Sequence, residues 1–338
     1  MKTVDRNAAG APAPLMVAAA FAAIYLIWGS TYLAIKYAIE SVPPFLMTGA
    51  RFLVAGAVLY GWSMLRPGPR LAPAAFSRAS LRAWREAFIV GALLIVGGTA
   101  LVGWAELSVP SGITSLILAT TPLWMVVLEG LSAGRAPAPR VLAGVAVGLG
   151  GLAILIWPSL MSPGAGIDLL GVAALAAASL TWSVGALYSR RVALPGSAAR
   201  ATGMQMLAGA VLSLALGVAF GEHRSLSIAA ITPASLAAIA YLVIAGALVG
   251  FSAYLWLMRV STPSRVATHA YVNPVVAVLL GWAVLGESVT VRTGIAMAVI
   301  VVAVVLIVSA PSSAKPAGVR DLVPGRSRST RRLTEHAA

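Results

Sequence analysis

The sequence predicts an all-α integral membrane protein of ten transmembrane helices, arranged as two inverted five-helix repeats (5+5) with both termini cytoplasmic. Three observations predict it: an extreme composition, a series of span-length apolar windows, and an internal repeat. Of the 338 residues, 59% are hydrophobic and 10% charged, and the mean hydropathy is +0.92. A soluble domain runs at roughly 45–50% apolar and about 25% charged residues. Thirty-four charged side chains cannot clothe a chain of this length in water, so the bilayer is the solvent that remains.

Windows of about 20 apolar residues fall at 15–36, 44–65, 85–107, 110–133, 139–157, 168–189, 198–220, 233–259, 264–286 and 290–309. Proline and glycine punctuate the short connections, as at Pro43-Pro44, Pro67-Gly68-Pro69, Pro163-Gly164 and Pro195-Gly196. The first apolar stretch, Leu15 to Ala38, exceeds a signal-peptide core and reads as a retained span. Domain organisation follows: a short cytoplasmic N-terminus (1–14), a first repeat (15–157), a second repeat (168–309) and a disordered, basic cytoplasmic tail (310–338).

With the N-terminus inside, 20 of the 24 Lys and Arg residues fall in cytoplasmic segments; Lys36, Arg224 and Arg292 lie outside and Arg51 within a span. That bias orients the chain. It also explains the net charge of +14: the basic residues are spread over loops and tail without interleaved aromatics, a face for an anionic inner leaflet rather than for nucleic acid. The chain has no cysteine and three histidines, so neither a metal nor a cofactor is expected. The expected partners are lipid and a small-molecule substrate, with the chain a monomer or weak homodimer.

The repeat shows in ordered landmarks. Trp28 lies 154 residues before Trp182, and the same offset relates Lys36 to Arg190 and Thr48-Gly49 to Thr202-Gly203. At 153, Ser108 meets Ser261 and Pro110-Ser111 meets Pro263-Ser264; at 152, Pro122, Gly134 and Arg140 meet Pro274, Gly286 and Arg292. An odd number of spans per copy inserts the second copy upside down, a recurring design of secondary transporters.

The segments WGSTYLAIK (28–36), Pro43 to Phe52, VPSGITSLILATTP (109–122) and AYVNPVVAVLLGWAVLGE (270–287) together resemble the EamA-type branch of the drug/metabolite transporter superfamily. The resemblance covers roughly residues 17–309 and implies a 5+5 inverted repeat, cytoplasmic termini, and export or exchange of small metabolites, including amino acids and amphipathic compounds. One departure is that Gly286-Glu287 has Gly134-Arg135 as its counterpart, so symmetric acidic roles are not implied.

Pro122 and Pro274 fall near the middle of related spans. A helical proline frees a carbonyl that needs a partner or a wet cavity at membrane depth, which points to a central site. Thr120, Thr121, His269, Tyr271 and Asn273 offer polar groups beside these prolines. Trp28, Tyr32 and Ile35 share a face of span one, with Ser30 and Thr31 beside them; Trp104, Tyr254 and Trp256 could extend an aromatic lining. Such a cavity suits amphipathic or aromatic metabolites. Arg51, about 10 Å into the membrane at about 1.5 Å per residue, is expected to pair with Glu106 or Glu40, or to snorkel outward. No catalytic constellation and no nucleotide-binding loop is evident. A secondary carrier is therefore expected, with an intramembrane enzyme or a non-transporting membrane anchor as the alternatives.

Overall fold

The computed structural model describes residues 13–65, 78–109, 114, 117–134, 136–160, 168–192, 194, 197–285 and 290–309. The expected N-terminal segment, most of the basic loop after span two, Arg135, Gly286-Glu287 and the tail 310–338 lie outside the described residues.

Regular structure among the described residues is helical throughout. α1 (Pro14–Ile39) opens on a proline, tolerated in a first turn where no N–H is needed, and stops before Pro43-Pro44. α2 (Pro44–Leu65) begins on that pair. Its first-turn N–H groups of Phe45 and Leu46, which have no partner within the helix, donate to the carboxylate of Glu222, at 3.2 and 2.9 Å, a capping contact made across the two repeats. α3 is α-helical over Arg78–Gly91 and Leu101–Ala105, with a π-helical stretch, Ala92–Ala100, between. α4 spans Thr121–Ala133 and α5 Pro139–Leu160. α6 (Leu169–Arg191) and α7 (Ala198–Ala219) start on Asp168 and Ser197, whose side chains accept first-turn N–H groups. α8 repeats the design of α3, α-helical over Pro233–Tyr241 and Ser252–Val260 around a π-helical stretch, Leu242–Phe251. α9 covers His269–Leu285 and α10 Val291–Val308.

Among the described residues, six helices are long and apolar enough to cross a membrane: α1, α2, α3, α6, α7 and α8. Their outer faces carry Leu26, Val58, Val211 and Ile244 at half or more of full exposure, and α10 does the same with Val301, Val302 and Val305. Large apolar side chains in such numbers are stable facing lipid, not water.

Helices related by the repeat meet each other directly. A Cβ on Gly49 would fall 2.5 Å from Leu214, and one on Gly203 would fall 2.7 Å from the Tyr60 backbone. Shifting either contact by the 154-residue offset generates the other, so α2 meets α7 through one self-complementary patch. The pairing runs antiparallel, since residue numbers rise on α2 as they fall on α7. α5 and α10 repeat the pattern at offset 152: Gly144 approaches the Ala303 carbonyl and Gly151 the Ala296 carbonyl, at 3.2 and 3.3 Å from a built Cβ. Glycine is required at these crossings because nothing larger lets the backbones approach so closely.

Candidate functional site

A cavity of about 110 Å³ lies between the two repeats. α1 contributes Trp28, Thr31, Tyr32 and Ile35; α2 contributes Arg51 and Phe52; α3 contributes Gly98, Thr99 and Val102. Leu118 comes from the segment just before α4 and Thr121 is the first residue of that helix; Ala178 and Trp182 come from α6, Gly246 and Phe251 from α8, and His269, Ala270 and Asn273 from α9. The π-helical stretches of α3 and α8 thus supply Gly98, Thr99, Gly246 and Phe251. The wider π turn is visible where Leu101 N–H bonds the Val96 carbonyl, five residues back.

Aromatic rings close one end of the cavity. Trp28 and Trp182, related by the repeat, stand edge to face with centroids 5.4 Å apart. Trp28 Nε1 donates to the Gly246 carbonyl at 3.2 Å, and Trp182 Nε1 donates to the Tyr254 hydroxyl at 2.8 Å. His269 packs its ring edge to face with Trp28 at 5.0 Å, and its Nδ1 lies 2.9 Å from the Val266 carbonyl. Both indole N–H groups are satisfied and the rings interlock in favourable geometry, so this end is a fitted plug. The approach of the backbone behind each indole is equally close. A Cβ on Gly98 would lie 2.5 Å from Trp182, and one on Gly250 would lie 2.5 Å from Trp28.

Beyond the plug the cavity runs along α1 from Trp28 to Ile35 and along α3 to Val102, toward the end of the bundle where Glu222 caps α2. The opposite end is tied across the repeats. The Tyr188 hydroxyl donates to Glu86, Ser264 donates to Glu129 at 3.2 Å, and Arg190 stands 4.0 Å from the same Glu129.

Of the residues expected at the site, Trp28, Thr31, Tyr32, Thr121, His269 and Asn273 line the cavity together, as does Arg51. Others lie elsewhere. Ser30 sits on the far face of α1, bonded to the Ile27 carbonyl and to the Tyr241 hydroxyl in a separate surface groove; two residues of helix turn it about 200° from Trp28. Tyr254 is fully buried behind the indoles and supports Trp182. Tyr271 points away into the α5–α10 core, where its ring fills the space over Gly148. Trp104 borders a groove with Glu40 near the α2 N-terminus.

The expected pairing of Arg51 with Glu106 is not made. The two ion pairs seen among the described residues are Arg85–Glu86 and Arg190–Glu129. Arg51 is 94% buried with its guanidinium 4.7 Å over the Phe52 ring, and its Nε has no hydrogen-bond partner. Both carboxylate oxygens of Glu106, at the end of α3, are also buried without one. Arg51 does not snorkel either: it is turned inward to the cavity.

The two prolines differ. Pro274 lies inside α9, as expected. Pro122 does not kink a continuous helix: the chain turns at Ala119-Thr120 and α4 starts at Thr121, leaving Pro122 in its first turn. The α-helical hydrogen bonding is interrupted at this turn, although Thr120 itself keeps right-handed helical angles, φ −72° and ψ −13°. The sequence reading missed Trp182, Phe251, Thr99 and Phe52. Trp182 was within reach, for it is the repeat partner of Trp28; Thr99 and Phe251 rest on π-helical backbone that carries no sequence signal of its own, and Phe52 lies beside Arg51 on the α-helical α2.

Residues 15–157 and again 169–309 match the EamA-like transporter family. The chain is 36% identical over 293 residues to the uncharacterized inner membrane transporter YedA of Escherichia coli strain K12, an alignment covering 84% of this chain and 88% of that protein. It is 25% identical to the protein PecM of Dickeya dadantii, over 78% of this chain and 82% of PecM. A WAT1-related chloroplastic protein of Arabidopsis thaliana is 23% identical, over 84% and 67% of the two chains. One solved crystal structure superposes with a TM-score of 0.68 at 23% identity, covering 87% of this chain and 96% of the other, a likeness of fold.

Proposed function

The chain belongs to the EamA-like transporter family, and on that premise we propose that it is a secondary transporter, an exporter or exchanger of small amphipathic metabolites such as amino acids or drug-like compounds, working by alternating access around the central cavity. It is a multi-pass protein of the plasma membrane, as relatives named inner membrane transporters are. The arrangement proposed is ten membrane helices as two inverted sets of five, with both termini cytoplasmic. The antiparallel contacts of α2 with α7 and of α5 with α10 support it, because a two-fold relation that reverses helix direction has its axis in the membrane plane.

The single observation that carries the reading is that the cavity wall is built in repeat-related pairs. Trp28 faces Trp182, and Leu118 and Thr121 have Ala270 and Asn273 as counterparts at offset 152. Tilting one repeat against the other therefore opens one end as it closes the other, with the site between. In the topology proposed, the Trp28–Trp182 plug and the Glu129 and Glu86 ties close the cytoplasmic end, and the cavity faces outward. Two large indoles and few polar groups suit an amphipathic ligand, bound by apolar contact and oriented by a small number of hydrogen bonds.

The test is flux in liposomes. The purified protein is reconstituted and exchange of a panel of labelled amino acids and amphipathic drugs is followed. At least one amphipathic class should be exchanged by the wild type and lost in a Trp28→Ala, Trp182→Ala double variant that still inserts. Flux that survives this double variant, or a protein that moves none of the panel, counts against the reading.

A further inference from the structure

Arg51 lines the cavity, is 94% buried, and has no carboxylate among the described residues near enough to form an ion pair. Its Nε makes no hydrogen bond. Arginine keeps its charge in proteins, and a buried charge without a partner is unstable relative to one that is paired. If Arg51 served only to neutralise Glu106, the two groups would touch; each is instead left without a hydrogen bond. Among the described residues lining the cavity it is the one charged side chain; every other polar wall group is a hydroxyl, the Asn273 amide, a ring N–H or the His269 ring. The Phe52 ring, 4.7 Å beneath the guanidinium, fixes that group's plane while leaving its N–H edge unbonded at Nε. A planar anion meeting an arginine edge-on makes parallel, charge-assisted hydrogen bonds. One arginine balances one negative charge, which suits a carboxylate and leaves a phosphate dianion unbalanced.

We infer that the ligand of this cavity is a small amphipathic carboxylic acid, its carboxylate held by Arg51 and its apolar body lying toward Trp28 and Trp182. This rests on the cavity being the transport site and narrows what it accepts. Asn273 is 97% buried and lines the same cavity, and its Oδ1 is also without a partner. The open Arg51 Nε–H is the donor a carboxylate completes; the Asn273 Oδ1 is an acceptor and would be met by a hydrogen-bond donor elsewhere on a ligand.

The experiment compares three probes with one benzene body: 3-phenylpropionate, 3-phenylpropanamide and 3-phenylpropylamine. Equilibrium binding to the full chain in lipid nanodiscs is measured by calorimetry, with thermal stabilisation as a parallel readout. The wild type should prefer the carboxylate to the amide and the amine by about tenfold or more, the scale of one charge-assisted bidentate contact. Arg51→Gln should erase that preference by weakening the carboxylate alone, while the amide binds as before; Arg51→Lys should keep part of it, and Glu106→Gln should leave it in place. A purely structural role for Arg51 would weaken all three probes in parallel. That outcome overturns the inference, and so does equal wild-type binding of all three; both leave the cavity itself as a ligand site. If the wild type binds none of the three, the cavity reading fails and this inference fails with it.

Discussion

The starts of α4 and α9 occupy equivalent places in the two repeats, yet one is stitched shut and the other left open. At α4, Thr120 and Thr121 hydroxyls both meet Ser179 Oγ at 3.0 Å, and Ser183 Oγ donates to the Thr121 carbonyl at 3.4 Å. The break before Pro122 is thereby held by two serines of α6. At α9 the counterparts of those serines on α1 are Tyr25 and Gly29. Tyr25 bonds Thr268 at 2.6 Å, but Gly29 has no side chain to reach the Asn273 carbonyl, which lies 3.1 Å from where its Cβ would be. Asn273 Oδ1 stays unpartnered, and Pro274 cannot donate to the carbonyl of Ala270, a cavity residue. The backbone frame is two-fold; the polar chemistry is not. On the function proposed, recognition would be concentrated on α9 and Arg51, with the α4 side acting as support.

The largest effect that would break this comparison concerns the prolines. Pro274→Ala restores a helical hydrogen bond to Ala270 and straightens α9, so transport should fall by about tenfold or more with abundance unchanged. Pro122→Ala should stay within about twofold of wild type, because a first-turn residue needs no such bond. Equal losses in flux assays of the two variants would show that both prolines do the same work. The next effect is on stability. Ser179→Ala removes one hydrogen bond from each of the Thr120 and Thr121 hydroxyls, which keep their bonds to the Ile117 and Leu118 carbonyls, and should cost about 1 kcal/mol in a thermal melt, with affinity little changed. Asn273→Ala should do the converse, weakening ligand binding by about 1 kcal/mol, roughly fivefold, with little change in melting. Smallest of all, Ser30→Ala should leave both affinity and transport near wild type, since that hydroxyl faces Tyr241 outside the cavity.

Much of this was legible beforehand and some was not, for physical reasons. Apolar windows and punctuating prolines located the helices closely because the bilayer tolerates few alternatives. The offsets linking Thr48-Gly49 with Thr202-Gly203 became a literal contact between α2 and α7. Side-chain direction was harder. Trp28, Thr31 and Tyr32 reach the cavity while Ser30, inside the same motif, does not, because proximity in sequence rotates a helical residue onto another face. Tyr271 was expected to face the ligand with Asn273, but two residues of helix carry it into the α5–α10 core. The pairing of Arg51 with Glu106 followed from opposite charge at similar depth; sequence gives depth along a helix but not the angle around it. The turn at Ala119-Thr120 was hidden for a similar reason, since proline signals a disturbance without saying whether the helix bends or breaks.

The central claim is that the cavity between the repeats is where the substrate sits and that it opens to one side of the membrane at a time. The chain contains no cysteine, so Thr99→Cys, on the π-helical wall of α3, would be its single thiol. In sealed cells, a membrane-impermeant maleimide added outside should label this cysteine, and a transported substrate should slow the labelling. Labelling from outside that no substrate on the transport panel affects, or a thiol that reacts only after denaturation, would contradict the account.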